Sequence, residues 1–461
     1  MTEREMDSGD RLMELREMAD EGRVQDLISA VTDLDLHPSD LADLIEGMEP
    51  GEQVSVIRAL PAEMASDALA EMEEGEERDD LLNSLDVRKT AQLLREMADD
   101  DAADLIGDLE PHERDRILDA LTAAEAVELR GLLAYDDETA GGLMTTEFVS
   151  ITVAMSAGDA IAAVRIQGRE VEEFYSVFVV DDNGRLQGTV GLDQLILADP
   201  ETPVADLVED AAVQIQPDMD QEEVGRLLSR YNLVSVPVVT ADGRLLGRIT
   251  FDDVIDVIEA EQTEDILRLA GVSEEEEVRA DWHDAIRTRL PWLALNLVTL
   301  TLASSVVLRF ENVLSNFYYL AMIMPIVAGM GGNSGTQALA VTVRRIALSD
   351  GPLEQKSDAV SKELLVGLVN GFSLGILAAL GVWVLTQLAP QAGLPPLLPF
   401  VVMGALWGNV LLSGFVGAFI PTVLDRAGID PAVASSIFLT TFTDLVGFLI
   451  LLSLATSLLP V

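Results

Sequence analysis

The stretch AVASSIFLTTFTDLVGFLILLSLATSLLPV, residues 432–461, decides the fold of this chain. Its apolar run is long enough to cross the roughly 30 Å hydrocarbon core of a bilayer as a helix. One charge interrupts it, Asp444, near the centre. A carboxylate at that depth costs about 3 kcal/mol on insertion scales, so such a residue marks a functional site by default. Thr440, Thr441 and Thr443 surround it with hydroxyl oxygens. Carboxylate and hydroxyl oxygens together suit a hard cation. The competing account is a buried carboxylate hydrogen-bonded to a neighbouring helix. Against it, no apolar stretch of the chain carries a lysine or arginine at depth to pair with Asp444. In a symmetric dimer, two copies of Asp444 facing one axis form an acidic ring of the kind that lines cation pores.

Four more apolar stretches precede this one, and the expected spans are 290–310, 314–343, 364–389, 397–424 and 432–460. From 287 to 461 eight acids balance eight bases, so the net charge of −51 falls entirely in residues 1–286. The chain therefore reads as a neutral membrane part fused to a very acidic soluble part. Arg287, Arg289, Arg344, Arg345, Lys356, Lys362 and Arg426 flank the spans on one side and Arg309 alone on the other. That bias places the N-terminus in the cytoplasm and the C-terminus outside a multi-pass plasma-membrane protein in the lipid bilayer. Lysine is nearly absent, with only Lys89, Lys356 and Lys362. Acid excess of this kind is expected at very high salt, where screening removes the repulsion; most single acids then read as solvated, halophile-like surface. With no cysteine, a disulfide framework and a thiolate metal site are excluded. His37, His112 and His283 are scattered, which disfavours a zinc cluster. The charged start does not read as a cleavable signal peptide, and so acidic a surface leaves nucleic acid out as a partner.

Residues 1–132 place leucine and methionine at helical spacing. ADLIEGMEP at 42–50 returns as ADLIGDLEP at 103–111, and ALPAEMASDALAEM (59–72) is echoed by SLDVRKTAQLLREM (84–97). Repeated helix pairs predict a small solenoid, serving either as a sensor or docking module or as a plain scaffold. Further on, SVFVVDDNGRLQG (176–188) and SVPVVTADGRLLG (235–247) are valine-rich alternating runs around Asn-Gly and Asp-Gly turns. These are strong hairpin signals, and the duplicated α/β unit looks like a tandem pair of CBS domains. From Asp252 to Val278 there are eleven acids and one base, Arg268.

Three further features bear on chemistry. In the second span, Pro325 and GMGGNSGTQ (329–337) predict a break. Irregular backbone at membrane depth lines a cavity or packs inside protein, so Asn333, Thr336 and Gln337 are candidate oxygen donors to a hydrated ion; close helix packing through small residues is the alternative. Gly404 and Gly408 form a GxxxG read as packing only. On the helix after the second hairpin, Asp253, Asp256, Glu261 and Glu264 fall within an arc of about 140° at 100° per residue. A divalent cation bridging them converts repulsion into attraction, while a salt-adapted solvated face is the plain account. GRITFDD (247–253) has the Gly-x-x-Ser/Thr-x-x-Asp layout that in CBS pairs holds an adenosine ribose, through Thr250 and Asp253. The first unit reads GTVGLDQ (188–194), so one adenine nucleotide half-site is expected and two are not.

LHPSDLADLIEGMEP (36–50), YDDETAGGLMT (135–145), TFDDVIDVIEAEQTEDI (250–266), MPIVAGMGGNSGTQALAV (324–341) and TTFTDLVGF (440–448), in this order, resemble the MgtE family of magnesium channels over nearly the whole chain. The resemblance implies a homodimeric channel selective for Mg2+, with Asp444 as the pore acid on the dimer axis; Asn333, Thr441 and Thr443 are candidate further lining by their side-chain oxygens. It implies that cytoplasmic acids bind magnesium and hold the channel shut, matching Asp220, Glu222, Asp253, Asp256, Glu261, Glu264 and Asp265 here. Asp430 matches an acid facing the connecting helix, and Asp100 and Asp104 match ligands of the helical domain. Asn232 stands where some relatives have an acid.

The expected architecture is multidomain. An all-α helical-repeat domain (1–134) leads into an α/β tandem CBS pair (135–200 and 201–262). A connecting (plug) helix (263–286) then enters a five-helix transmembrane domain (287–461). No enzyme is expected, since aspartyl chemistry within a membrane needs two facing acids. A channel of the same build carrying cobalt or manganese, and a non-conducting nucleotide or magnesium sensor, are the rival readings.

Overall fold

The computed structural model describes residues 13–19, 21, 23–33, 36–73, 75–169, 171, 174–272, 282–347, 353–388, 390, 393–427, 429–433 and 436–460. The chain divides into two compact units, Met1–Ala260 and Glu261–Val461.

The first unit begins with nine named helices among the described residues: α1 (Val24–Asp33), α2 (Pro38–Glu46), α3 (Pro50–Ala59), α4 (Ala62–Ala70), α5 (Glu76–Ser84), α6 (Val87–Leu93), α7 (Asp99–Gly107), α8 (Pro111–Leu118) and α9 (Ala123–Leu132). Most pack on the helix two places along, α1 on α3, α2 on α4, α3 on α5 and so on, which is the stacking of a solenoid. The sequence repeat maps onto equivalent places. Ala42 and Ile45 on α2, and Ala103 and Ile106 on α7, are buried. Pro50 and Pro111 each open the next helix, where the missing proline N–H has no helical partner to lose.

Each CBS unit is a hairpin with a helix. In the first, β1 (Ser150–Thr152) runs parallel to β2 (Ser176–Val180), which pairs antiparallel with β3 (Leu186–Gly191). Helix α10 (Ala157–Gln167) connects β1 to β2, and α11 (Leu192–Leu197) follows β3. In the second, α12 (Gln221–Tyr231) precedes β4 (Ser235–Val239) and β5 (Leu245–Thr250), and α13 (Phe251–Ala270) follows. Both turns use glycine in the left-handed region, Gly184 at φ 74° and Gly243 at φ 84°. The tips are bonded to each other: Leu186 N donates to Gly243 O at 2.9 Å and Leu245 N to Gly184 O at 3.0 Å. The linker reaches the second hairpin as well. Ala140 N donates to Met219 O, and Thr145 exchanges both backbone bonds with Arg248. Helical domain and second CBS unit share one hydrophobic cluster, in which Ile45, Leu69 and Ile106 join Met144, Val236, Ile249 and Val254. The first CBS unit keeps its own core around Ile151, Val177 and Leu195.

The second unit holds α14 (Trp282–Ser305), α15 (Glu311–Asn316), α16 (Leu320–Ala347), α17 (Leu353–Leu388), α18 (Leu398–Arg426) and α19 (Ser436–Leu458). Of the expected connecting segment 263–286, residues 263–270 complete α13, 282–286 begin α14, and 273–281 lie outside the described residues. Among the described residues four stretches are long and apolar enough to cross a membrane: Ala285–Asn316, Ala359–Leu388, Leu398–Arg426 and Ile437–Leu458. Five were expected. The remaining helix, α16, has the length, at 28 residues, but its glycines and Asn333, Ser334, Thr336 and Gln337 dilute the apolar run.

The expected break in α16 is absent: one helix runs through Pro325 and 329–337. Packing overrides the helix penalty of about 1 kcal/mol per glycine. α18 packs against α16, α17 and α19, and α16 against α19. A Cβ on Gly331 would stand 2.1 Å from Asn409 Nδ2, and one on Gly417 2.4 Å from Gly335 O. Asn409, wholly buried, donates from Nδ2 to Val327 O at 2.8 Å. The small residues therefore let helices touch backbone to backbone. Gly404 and Gly408 make room for the Leu454 and Ile450 side chains of α19. Gly417→Ala is expected to cost about 1–3 kcal/mol through overpacking and to lower the thermal midpoint of the detergent-purified protein. Gly381→Ala, with nothing within 4 Å of the added methyl, leaves that midpoint unchanged or higher.

Candidate metal sites

Asp444 lies on α19 within the span Ile437–Leu458 and is half-buried. It has no hydrogen-bond or ion-pair partner among the described residues of its own chain, so the account in which a neighbouring helix satisfies it fails within one chain. The threonines beside it behave differently from one another. Thr443 is fully buried; its Oγ1 donates to Thr440 O at 3.0 Å and faces Gly332 of α16, where a Cβ would stand 3.8 Å away. The hydroxyls of Thr441 and Thr299, on α14, lie 2.9 Å apart. Asn333 is exposed on α16 next to Gly332. α16 thus meets α19 beside Asp444 through Gly332, while Asn333, Thr336 and Gln337 are exposed.

In the first unit the acids meet in pairs. Asp100, in the first turn of α7, is pushed well above the usual carboxylate range by burial, then by the charge of Asp253, with Asp101 and Asp99 adding to it. Its Oδ1 is buried with no hydrogen-bond partner. Asp253, in the first turn of α13, is raised chiefly by burial, while Thr250 Oγ1 donates to its Oδ2 at 2.6 Å. Asp256 is raised by burial and by Glu71 of the helical domain. Neighbouring Asp99 accepts from Thr145 Oγ1 at 2.6 Å and from Thr146 N at 3.1 Å, which ties α7 to the linker. Asp220 caps α12, accepting from Glu222 N at 2.9 Å. Glu222 is half-buried and Asp104 is exposed.

In the second unit Glu261, Glu264, Asp265 and Asp430 are half-buried. Asp265 is raised by burial and by Asp430, with Arg268 and Arg344 pulling the other way. The Arg268 guanidinium pairs with both Glu264 and Asp430. Among the described residues no three acid or histidine side chains converge as a metal-binding group. The acids expected on one arc of α13 meet different neighbours: Asp253 accepts from Thr250, Asp256 is raised by Glu71, and Glu264 pairs with Arg268. Sequence reasoning missed Asp99, Glu71 and Arg268. Only Arg268 announced itself, as the one base among eleven acids.

Sequence and structure comparisons agree on the family. The pattern described as MgtE, divalent cation transporter, matches residues 324–454, the MgtE intracellular N domain matches 36–138, and CBS domains match 140–201 and 204–260. The magnesium transporter MgtE of Thermus thermophilus is 34% identical over 449 residues, covering 96% of this chain and 98% of its own. The chain belongs to the MgtE family. The MgtE magnesium transporter of Enterococcus faecalis is 38% identical over 72% of this chain and 71% of its own. Among solved structures, the cytosolic domain of the Mg2+ channel MgtE in complex with ATP is similar at TM-score 0.50 and 34% identity, covering 53% of this chain and 99% of that one. The helical-repeat domain, CBS pair and apolar C-terminal helices of this MgtE chain are thus those of its relatives, which are transporters and channels.

The Asp100–Asp253 pair has a pH signature. A carboxyl raised on folding binds its proton more tightly in the folded state, so the stability present at low pH is lost as pH rises from the unfolded value through the raised one. Without divalent cation, Asp100→Asn is expected to raise the thermal midpoint at pH 7, and the gain over the parent shrinks as pH falls towards the ordinary carboxylate value.

Proposed function

We propose that this chain forms a homodimeric, multi-pass plasma-membrane channel that carries magnesium and is closed by cytoplasmic magnesium. The observation that carries the pore reading is Asp444: a half-buried carboxylate in an apolar span with no partner among the described residues of its own chain. Such a group needs water or a cation. Magnesium sheds its hydration shell reluctantly, so the cargo passes largely hydrated and Asp444 acts as a weak attractive site. Two copies on a shared axis supply the second carboxylate that one chain lacks. α16 counts as the fifth crossing helix, long enough at about 40 Å and shielded from lipid by α18 and α19. Arg344 and Arg345 at its end, with the other basic flanks, favour a cytoplasmic N-terminus and an outside C-terminus.

Closure is assigned to the cytoplasmic acids. Asp100 Oδ1, buried without a partner and close enough to Asp253 to be raised by it, is what a bound cation satisfies. Asp256 with Glu71, and Asp265 with Asp430, repeat the motif. Scarce magnesium leaves these pairs repelling; abundant magnesium bridges them, and differential binding shifts the population towards the closed state. Asp220, Glu222, Asp104 and Glu261 are assigned to the same acidic surface, though Asp220 first serves as a helix cap. The Thr250–Asp253 pair is the proposed adenine nucleotide half-site, in keeping with the ATP complex of the related cytosolic domain.

In reconstituted vesicles Asp444→Ala is expected to abolish magnesium uptake; unchanged uptake removes Asp444 from the pore. Competition by cobalt or manganese in the same assay separates magnesium selectivity from transport of another divalent. Limited proteolysis of segment 250–290 should slow as magnesium rises at fixed high salt, and equal protection by added sodium chloride would favour salt adaptation alone.

A further inference from the structure

The acidic segment that runs from Asp252 to Val278 has a single base, and that base makes a bridge. Arg268 pairs with Glu264, one turn earlier on α13, and with Asp430, in the connection before α19. The Arg268 and Asp430 side chains are 27% and 33% exposed, so salt screens this pair less than an open surface pair. Asp430 also accepts from Ala432 N at 2.8 Å through its other oxygen, which fixes the carboxylate in place. Asp265 faces Asp430 from the same turn of α13. Without the guanidinium, Asp430 would face Asp265 with Arg344 as the remaining base acting on that carboxyl. The apolar side of this turn is seated too. Leu269 packs on the cluster of Leu339, Val343, Val416, Ala432 and Leu439. Gly271, at φ 76°, ends the helix against Ile437 of α19, about two turns from Asp444.

We propose that Arg268 is a built-in counter-cation, a positioning residue that holds the last turn of α13 on the entrance of α19 without any metal. It stands between Glu264 and Asp430, where the closure described above would otherwise call for magnesium. It touches no cargo and acts through the two carboxylates. The inference rests on that closure scheme in one respect only, that docking of α13 shuts the path. Its consequence is that the docked state survives magnesium depletion in part, and magnesium adds to a contact already half made.

The chain has no cysteine, so Leu269→Cys provides one thiol whose maleimide labelling rate in the full-length purified protein reads undocking. With magnesium chelated, adding Arg268→Gln is expected to speed labelling several-fold and Arg268→Lys to speed it less, because an ammonium keeps the charge but loses the fork. The charge-reversed pair Arg268→Glu with Asp430→Arg is expected to return labelling to the slow rate, which a misfolded variant would not do. Equal rates in the parent, Arg268→Gln and Arg268→Lys overturn the proposal, as does a charge-reversed pair that stays fast. Slowing by magnesium in the parent together with no effect of Arg268→Gln overturns the latch and leaves magnesium closure standing. An Arg268→Gln effect with no response to magnesium overturns magnesium closure and leaves the latch.

Discussion

A negative charge with no partner among the described residues of its own chain, set in a helix otherwise fit for lipid, is the constraint on which the molecule turns. On the proposed reading, Asp444 is tolerated because water or a cation reaches it along one surface of α19. The rest of the second unit answers to that need. α16 meets α19 through Gly332 and Gly335, and its glycines let α18 and α19 come close. Asn409 commits its amide to a carbonyl of α16, so these helices are held by a directional bond as well as by apolar contact.

The soluble part works by the opposite device: it brings carboxylates to each other rather than isolating one. In the pairs Asp100 with Asp253, Asp256 with Glu71, and Asp265 with Asp430, the first-named acid is raised by burial and then by its neighbour. A fold normally avoids such pairs. The first two are held where they are by the shared apolar core of the solenoid and the second CBS unit, and on the proposed reading a divalent cation relieves their repulsion. Arg268 stands apart because there the chain supplies the cation itself.

How much of this was legible beforehand depended on whether the signal was local. The hairpins could be read directly, since Asn183-Gly184 and Asp242-Gly243 dictate their turns. The solenoid repeat was visible because Ala, Ile and Pro recur at one offset. Asp444 was conspicuous because nothing else in its stretch is charged. The continuity of α16 was not legible. Propensity sets four glycines and a proline against a helix, and only the partners on α18 and α19 tip the balance back. The division of the α13 acids was equally hidden, because a helical wheel records which residues share a face but not what each meets. Asp99 and Glu71 carried no mark in an acid-rich chain where most carboxylates are solvated. Arg268 did carry one, yet its partner lies 162 residues away.

The reciprocal bonds between the two hairpin tips have a mechanical meaning. Leu186 reads the position of Gly243, and Leu245 that of Gly184. Neither loop can lengthen, tilt or be displaced by a bound molecule without breaking a strand-like bond in its twin. The two halves of the duplicated module are therefore joined at their turns, and a displacement of one tip acts on the hairpin from which α13 departs.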